Sequence, residues 1–168
     1  MCIRDSWEAD QDLNSAMQNS VNWYFQAIDS QLGINRVQEF LNKIEYGNQT
    51  TSSNLDLYWS DFSLKISPLE QVTLLKKFNT NEFHLNFQNV FSVKNAIKIA
   101  STPNGNFYGK TGTGRVNGQD INGWFIGYVE TSDNSYYFAT NIQSDSNATG
   151  KKAFEITSDI LKKLHIWN

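Results

Sequence analysis

Residues 123–142 read Gly-Trp-Phe-Ile-Gly-Tyr-Val-Glu-Thr-Ser-Asp-Asn-Ser-Tyr-Tyr-Phe-Ala-Thr-Asn-Ile. Two runs of aromatic and β-branched residues, Gly123–Glu130 and Tyr136–Ile142, flank a polar stretch at Thr131–Ser135. Such runs are typical of β-strands, and a polar connection of this length joins strands into a hairpin. The upstream stretch Asn106–Thr113 has the same character. The sequence therefore predicts an antiparallel sheet between residues 106 and 142.

Apolar residues at helical spacing lie on both sides of this sheet in the sequence. They recur every three or four residues, which predicts amphipathic helices that turn one face toward a core. The predicted helices cover Val21–Leu32, Arg36–Glu45, Pro68–Phe78, Asn89–Ile99 and Ala153–Leu164. The first ends at Gly33, and the third begins with Ser67 as N-cap and Pro68 in its first turn. The stripes expected to face inward are Val21, Tyr24, Phe25, Ile28 and Leu32; Val37, Phe40, Leu41 and Ile44; Val72, Leu75 and Phe78; and Ala153, Ile156, Ile160, Leu161 and Leu164.

The order of these elements sets the fold class. Helices come first, then antiparallel strands, then a terminal helix that covers a sheet face, so the chain is predicted to be α+β. A length of 168 residues suits one domain. Periodicity vanishes between Tyr46 and Ser63 in a stretch rich in Asn, Ser, Thr and Asp, which predicts a long loop. Loops of this length are often functional.

Composition excludes several classes of function. A net charge of −3 gives no basic surface of the kind that binds nucleic acid. One cysteine, Cys2, and two scattered histidines, His84 and His165, make neither a disulfide framework nor a metal cluster, and no cofactor is implied. The sequence shows no secretory signal and no run of about 18 apolar residues. We expect residues 1–6 to be a non-native leader.

The stretch Lys110-Thr111-Gly112-Thr113-Gly114 carries the clearest chemistry. It lies at the end of a predicted strand, where a lysine supplies a positive charge and two threonines supply hydroxyl donors. Glycine permits another group to approach the strand closely. The combination suits an anionic ligand. The alternative is a lysine at a strand end followed by a glycine turn.

Three further motifs accompany this one. Ser20-Val21-Asn22 precedes the first strong helix, and its polar side chains can face one cavity only if a short helix ends near Asn19 and a turn follows. The alternative is that Ser20 is simply an N-cap. The other motifs are Tyr46-Gly47-Asn48 and the stretch from Trp124 to Tyr128. Their structural alternatives are a glycine that ends a helix and a strand of the core.

In this order, the four motifs resemble the C-terminal two thirds of class D serine β-lactamases and of the similar sensor domains of β-lactam receptors. The resemblance extends from Trp7 to about Lys163 and includes Ser63-Leu64-Lys65-Ile66-Ser67 and the aromatic pair Tyr58-Trp59. Each motif is weak alone, but four in order are specific. The resemblance implies a penicillin-recognising fold and β-lactam ligands, with no metal and no nucleic acid as partner.

The resemblance also implies roles for individual residues. Ser20 and Lys110 would be catalytic, passing a proton toward the β-lactam nitrogen. Thr111, Gly112 and Thr113 would bind the substrate, and the Thr113 backbone N–H would form half of an oxyanion hole. The substrate site would also contain Asn22, the third residue of the Ser20 motif. It would contain Trp59 as well, because the family tryptophan packs beside a carboxylated lysine base.

Two departures from the class D pattern concern the substrate site. Asn22 stands where class D enzymes have valine, as in the Ser-x-Asn form of transpeptidases and receptor sensors. No arginine follows the last strand, which leaves the substrate carboxylate to Thr111, Thr113 and Thr149.

The decisive departure is the family nucleophile. The family requires Ser-x-x-Lys, in which one helical turn brings the lysine beside the serine. No lysine of this chain has a serine three residues before it. We therefore expect residues 7–168 to be a partial domain that lacks its nucleophile and is inactive alone. We also expect truncation to expose apolar surface around Trp124 and Phe125.

Two function classes stay open for the intact parent. One is a class D β-lactamase that hydrolyses the β-lactam amide, and the other is a sensor that is acylated without turnover in a membrane-anchored transducer. Asn22 favours the sensor. Either would act outside the cell or at its surface. A third possibility is an α+β interaction domain whose motifs are accidental.

Overall fold

A computed structural model describes residues 5–51, 58–60 and 62–167 of the chain. Within them lie seven helices and a four-stranded antiparallel sheet, which confirms the α+β class. The elements are α1 (Asp5–Glu8), α2 (Leu13–Asn19), α3 (Asn22–Leu32), α4 (Ile34–Lys43), α5 (Pro68–Asn79), α6 (Phe87–Ala96), β1 (Lys98–Thr102), β2 (Gly105–Val116), β3 (Gln119–Thr131), β4 (Ser135–Gln143) and α7 (Gly150–Lys163).

These elements form two units. The first contains the residues up to Ile66 together with Asn81–Ile97, and the second contains Ser67–Thr80 together with the residues from Lys98 onward. The loop predicted at Tyr46–Ser63 belongs to the first unit. The described part of that loop has neither helix nor strand, and residues 52–57 and 61 lie outside the described residues.

The first unit is helical, and its buried positions differ in part from the predicted stripes. Val37 and Leu41 of α4 pack with Tyr58 in one cluster, as expected. Ile28 and Leu32 of α3, by contrast, are exposed. Phe40 is exposed as well. Helical spacing found these helices correctly but assigned them a wider buried face than they have.

Helix α5 begins as the sequence predicts. The Ser67 side chain accepts a hydrogen bond from the Glu70 backbone N–H, and the Glu70 carboxylate accepts one from the Ser67 N–H. This reciprocal capping, with Pro68 at the first helical position, fixes where the helix starts. The buried residues of α5 are Gln71, Leu74 and Leu75. Val72 and Phe78, predicted to face inward, are only half-buried.

The second unit is a sheet with a helix on each face. Its strands lie in the order β1-β2-β3-β4, each antiparallel to its neighbours. The Thr140 hydroxyl shares a hydrogen bond with Thr157 of α7 (2.7 Å), whereas Asn79 of α5 donates one to the Tyr137 hydroxyl (2.8 Å). Residues three apart on a strand point to opposite faces. Helices α7 and α5 therefore cover opposite faces of the sheet.

The core of this unit lies between the sheet and α7. It contains Phe107, Phe125 and Val129 from the strands and Ala153 and Leu161 from the helix. Phe125 is 1% exposed, so the expectation of exposed apolar surface around it is wrong. The predicted stripe of α7 covers the sheet only in part, because Ile156, Ile160 and Leu164 are exposed.

One predicted helix includes residues that form a strand in the structure. Residues 89–99 were expected to be helical throughout, but α6 ends at Ala96 and β1 begins at Lys98. Strand β1 pairs with β2 only from Lys98 opposite Tyr108 to Thr102 opposite Gly105. This short pairing leaves the later part of β2 unpaired on that side among the described residues. No helix in the described ranges is both long and apolar enough to cross a membrane.

Candidate functional site

Ser20 lies at a turn between two helices of the first unit. It ends α2 in the left-handed conformation (φ 52°, ψ 50°), and its backbone N–H donates to the Met17 carbonyl. A side chain in this conformation costs roughly 1–2 kcal/mol, and glycine usually occupies such positions. Ser20 is therefore not an N-cap of α3, since Val21 has that position without a side-chain bond. The left-handed backbone at Ser20 lets the chain turn sharply from α2 into α3.

The turn is fixed by the residue after Ser20. Val21 is fully buried, and its N–H donates to the Ala16 carbonyl at 2.9 Å. Asn22 then begins α3 with an exposed side chain. The short helix predicted before the turn is α2, which starts at a capping box between Asp12 and Ser15. The motif therefore lies on a turn between helices.

The Tyr46-Gly47-Asn48 motif is a close contact between two chain segments. Gly47 has φ 49°, and a Cβ built there would lie 1.9 Å from the Lys65 carbonyl oxygen. The Asn48 side chain accepts from the Lys65 N–H (2.9 Å) and donates to the Ser63 carbonyl (2.8 Å). Gly47 does not end a helix, because α4 ends at Lys43 and Ile44 is its C-cap. The motif holds residues 63–65 against the turn after α4.

Asp29 of α3 was not identified from the sequence, yet it anchors the Tyr58-Trp59 pair. The Trp59 indole N–H donates to the Asp29 carboxylate at 3.2 Å. The Tyr58 hydroxyl also bonds Asp29, and burial, reinforced by that carboxylate, raises the pKa of Tyr58 far above its ordinary value. Asp29 carries no motif signal. Only its position two turns after Asn22 relates it to the site in sequence.

In the second unit, Lys110 lies within β2 and not at its end, because the strand continues through the glycines to Val116. Its neighbour on β3 is Ile126, and its ammonium group donates to the Thr111 carbonyl at 2.8 Å. Burial lowers the pKa of Lys110, since the charged amine loses hydrating water. A lysine with a lowered pKa transfers a proton more readily near neutral pH.

Backbone groups of Thr111 and Thr113 point to the unpaired edge of β2. The Thr131 N–H bonds the Asn134 carbonyl at the β3–β4 hairpin, and bonding directions alternate along antiparallel strands from that point. By this alternation Lys110 and Gly112 bond to β3, opposite Ile126 and Trp124. The N–H groups of Thr111 and Thr113 then face away from β3, where a ligand could bond them.

The first turn of α7 presses against this part of β2. The Gly150 N–H donates to the Thr113 hydroxyl at 2.9 Å. A Cβ on Gly150 would lie 2.6 Å from the Gly112 carbonyl oxygen, and one on Gly123 would lie 2.5 Å from the Thr149 oxygen. The Thr149 hydroxyl accepts a hydrogen bond from the Lys152 N–H and so caps α7. The partial positive charge of a helix N-terminus thus lies beside Thr113.

Gly112 differs from these packed glycines. A Cβ built on it would meet only the Trp124 Cβ, at an ordinary 3.7 Å. Its backbone is not left-handed. The fold therefore does not require glycine at this position, and the free space above it leaves room for a ligand that approaches the strand.

The predicted site residues thus belong to two groups. The helical group is Ser20, Asn22 and Trp59 in the first unit, and the strand group is Lys110, Thr111, Gly112 and Thr113 in the second. The expectation that Ser20, Lys110 and Thr111 converge on one cleft stays a prediction. The described residues contain no group of three or more His, Cys, Asp or Glu side chains able to hold a metal ion. The strand group combines a partly buried lysine, two threonine hydroxyls and outward N–H groups, and neither group contains a serine three residues before a lysine.

Comparison with known proteins identifies related sequences and folds. The profile of the penicillin binding protein transpeptidase domain matches residues 4–162. The regulatory protein BlaR1 of Bacillus licheniformis is 48% identical over 161 residues, which are 96% of this chain and 27% of that protein. The chain thus spans about a quarter of that curated relative.

Two solved structures have nearly the same fold. The C-terminal domain of the Bacillus licheniformis BlaR penicillin-receptor superposes with a TM-score of 0.93 at 46% identity, covering 98% of this chain and 67% of that one. A class D β-lactamase from Bacillus subtilis gives 0.91 at 37% identity, covering 100% and 68%. In both, about a third of the solved chain has no counterpart here.

Proposed function

The chain belongs to the penicillin binding protein transpeptidase family, and on this premise we propose that it forms part of a domain that binds β-lactams covalently. One observation carries the proposal. Lys110, Thr111 and Thr113 lie along an unpaired strand edge with two N–H groups turned outward. A penicillin brings a carboxylate and a strained amide carbonyl. A cation, hydroxyls and outward N–H groups are suited to these two groups.

A sensor is the form of the parent that the comparisons favour. The chain is 48% identical to a regulatory protein and 46% identical to a penicillin-receptor domain, against 37% for the Bacillus subtilis β-lactamase. Asn22 in place of valine points the same way. We therefore propose a domain that is acylated and stays acylated. In this role it would lie outside the cell, where β-lactams arrive, and belong to a membrane-anchored parent.

A class D β-lactamase is the second candidate. It is supported by the TM-score of 0.91 to such an enzyme across the whole chain. The two candidates share the acylation step and differ in deacylation. An enzyme releases the opened β-lactam by water attack, whereas a sensor retains the ester.

The nucleophile for acylation must come from outside the 168 residues. No Ser-x-x-Lys occurs among them, and in this proposal Ser20 and Lys110 assist a nucleophile rather than supply one. Without one, a serine hydrolase keeps only the weak catalysis of positioning and oxyanion binding. We therefore propose that the chain alone forms no acyl adduct.

A chimeric domain tests the proposal. In the chimera, this chain replaces the part of the Bacillus licheniformis receptor domain that it matches. The remaining third of that domain is kept from the receptor. Fluorescent penicillin is added to the chimera and to the chain alone, and intact mass is followed over hours. We expect a stoichiometric, long-lived adduct on the chimera and none on the chain.

The outcomes separate the candidates. An adduct that decays with release of opened penicillin would favour the enzyme. A chimera that is folded by circular dichroism yet takes no label would overturn the proposal. A stoichiometric adduct on the chain alone would refute the need for an external nucleophile. Ser20→Ala in the chimera serves as the matched variant, because it should slow labelling without unfolding the domain.

A further inference from the structure

The dipeptide Asn-Gly occurs three times in the chain, at Asn104-Gly105, Asn117-Gly118 and Asn122-Gly123. Asparagine followed by glycine is the sequence most prone to spontaneous loss of the side-chain amide, because glycine has no Cβ to hinder its backbone nitrogen. The three dipeptides are chemically identical. Their reactivities in the folded chain therefore depend on the structure around each.

The reaction requires both residues of the dipeptide to move freely. The backbone nitrogen of the glycine attacks the side-chain carbonyl carbon of the asparagine, the new bond closes a succinimide ring, and ammonia leaves with the proton of the attacking nitrogen. Water then opens the ring at either carbonyl. One opening gives aspartate, and the other gives isoaspartate, in which the backbone runs through the side-chain carbon. A hydrogen bond that holds the glycine N–H or the asparagine amide opposes the attack.

Asn122-Gly123 is held at both residues. The Asn141 side-chain amide donates to the Asn122 side-chain oxygen at 2.6 Å. Gly123 is buried within β3, and by the alternation of ladder bonds its N–H points to β4, where Ile142 is its partner. Ring closure would break both bonds and bend a strand that has neighbours on both sides. We therefore expect this dipeptide to be protected.

Asn104-Gly105 is held at one residue. Pro103 and Asn104 form the two-residue loop between β1 and β2, and Gly105 pairs with Thr102 across it. In such a loop the residue that follows donates its N–H to the carbonyl of the residue that precedes, so the Gly105 N–H closes the hairpin. Asn104 is exposed. The attacking nitrogen is thus engaged, although the amide is accessible.

Asn117-Gly118 is held at neither residue. These two residues are themselves the loop between β2 and β3, since Val116 pairs with Gln119 across them. The closing N–H belongs to Gln119, which leaves the Gly118 N–H outside the ladder. Both loop residues are exposed and left-handed (φ 48° and 79°), and a Cβ on Gly118 would meet nothing within 4 Å. Among the described residues, the Asn117 side chain has no hydrogen-bond partner.

We propose that Asn117 is a site of spontaneous deamidation and that its isoaspartate product opens the end of the β2–β3 hairpin. Isoaspartate adds a methylene to the backbone of a loop of only two residues, so Val116 and Gln119 can no longer pair as they do. The change is expected at the tip of the hairpin, because the ion pair between Arg115 and Asp120 (2.7 Å) supports the next rung. This inference does not depend on β-lactam chemistry.

Peptide mass spectrometry of the aged chain tests the ranking. The intact chain is kept at mildly alkaline pH and body temperature for several weeks and is then digested with trypsin. Fragmentation locates each replacement of NH2 by OH and distinguishes isoaspartate from aspartate. We expect Asn117 to react at least about tenfold faster than Asn122, with Asn104 between them, because each ladder bond must open before the attack. The rate should rise with pH, since the attacking nitrogen loses its proton.

The unfolded chain is the matched control. In concentrated guanidinium chloride the three dipeptides lose their different surroundings and should react within about threefold of one another. The variant Asn117→Gln keeps an uncharged amide, but its longer side chain does not close the same ring, so position 117 should stay unmodified. Amide exchange at Gln119 should become at least about tenfold faster in the aged chain and stay unchanged in aged Asn117→Gln.

Several outcomes would overturn the proposal. They are equal rates at Asn117 and Asn122 in the folded chain, an Asn117 that stays intact while the unfolded chain reacts at all three dipeptides, and an Asn104 that reacts faster than Asn117. Isoaspartate at position 117 with an unchanged exchange rate at Gln119 would refute the opening of the hairpin.

Discussion

Two stretches of strand in the described sheet, the later part of β2 and the outer side of β4, have no strand beside them, and their surroundings differ in chemistry. At the β2 edge the flanking groups are the Lys110 ammonium, the threonine hydroxyls and the N-terminus of α7. At the β4 edge they are Tyr136, Ile156 and Ile160, all exposed. Both stretches turn backbone groups away from the sheet, and at the β2 edge the Thr111 carbonyl accepts from the Lys110 ammonium. The neighbouring side chains are cationic and polar at the β2 edge and apolar at the β4 edge.

The glycines sharpen this comparison. Gly150 at the start of α7 approaches β2, and Gly123 of β3 approaches the residues just before α7, each more closely than a Cβ would permit. The β4 strand contains no glycine. Close packing near the β2 edge holds its polar groups in place before a ligand arrives, and such preorganisation is what catalysis requires.

The largest effect is expected at the β2 edge. Lys110→Met in the chimera should slow acylation by penicillin about 10²–10³-fold, because a preorganised charge beside the reacting groups is lost. The measurement is the rate of fluorescent labelling at fixed drug concentration. Lys77→Met, a lysine of α5 outside the site, is the control and should label at the parent rate. Equal rates for Lys110→Met and the parent would remove Lys110 from the mechanism.

Gly150→Ala should cost the chain about 3 kcal/mol of unfolding free energy, since the added methyl overlaps the Gly112 carbonyl oxygen and forces α7 away. Urea denaturation measures this. If the variant unfolds at the parent midpoint, the contact between α7 and β2 is looser than described.

Thr113→Val should cost about 1 kcal/mol, because the Gly150 N–H loses its acceptor at the start of α7. The isosteric comparison is Thr111→Val, for which a change within about 0.5 kcal/mol is expected. Thermal unfolding of both variants at one protein concentration distinguishes them. A reversed order would show that the Thr113 hydroxyl does not stabilise the helix.

Gly112→Ala should have the smallest effect on stability, below about 0.5 kcal/mol, because its Cβ meets only an ordinary contact at 3.7 Å. In the chimera the same methyl should slow acylation if a ligand approaches the strand there. Unfolding and labelling are measured on the same preparations. A destabilised variant would mean that the fold, not the ligand, requires this glycine.

The parts of the fold that the sequence predicted are those with local signals. Ser67 and Pro68 fixed the start of α5, and the aromatic runs around Thr131–Ser135 fixed the hairpin. Strand β1 was missed because Lys98 and Ile99 continue a helical pattern that tertiary pairing with β2 interrupts. The buried faces of the helices were overestimated because spacing shows which side is apolar and not whether anything covers it.

The sequence identified which residues belong to the candidate site but not how the backbone arranges them. Lys110 and Thr113 carried a motif, but the glycines around them suggested a turn, whereas β2 continues because Gly112 and Gly114 pair with Trp124 and Asn122. The support from Gly150 and Asp29 could not be predicted, because each acts through contacts between segments distant in sequence.

Helix α7 is anchored to the sheet at points spread along its length. Its first residue donates to the Thr113 hydroxyl, and Ala153 near its start and Leu161 near its end are both buried. A helix of 14 residues is roughly 21 Å long. One continuous element therefore clamps β2 and β3 from above, and neither strand can separate from the other without first losing contacts to the helix.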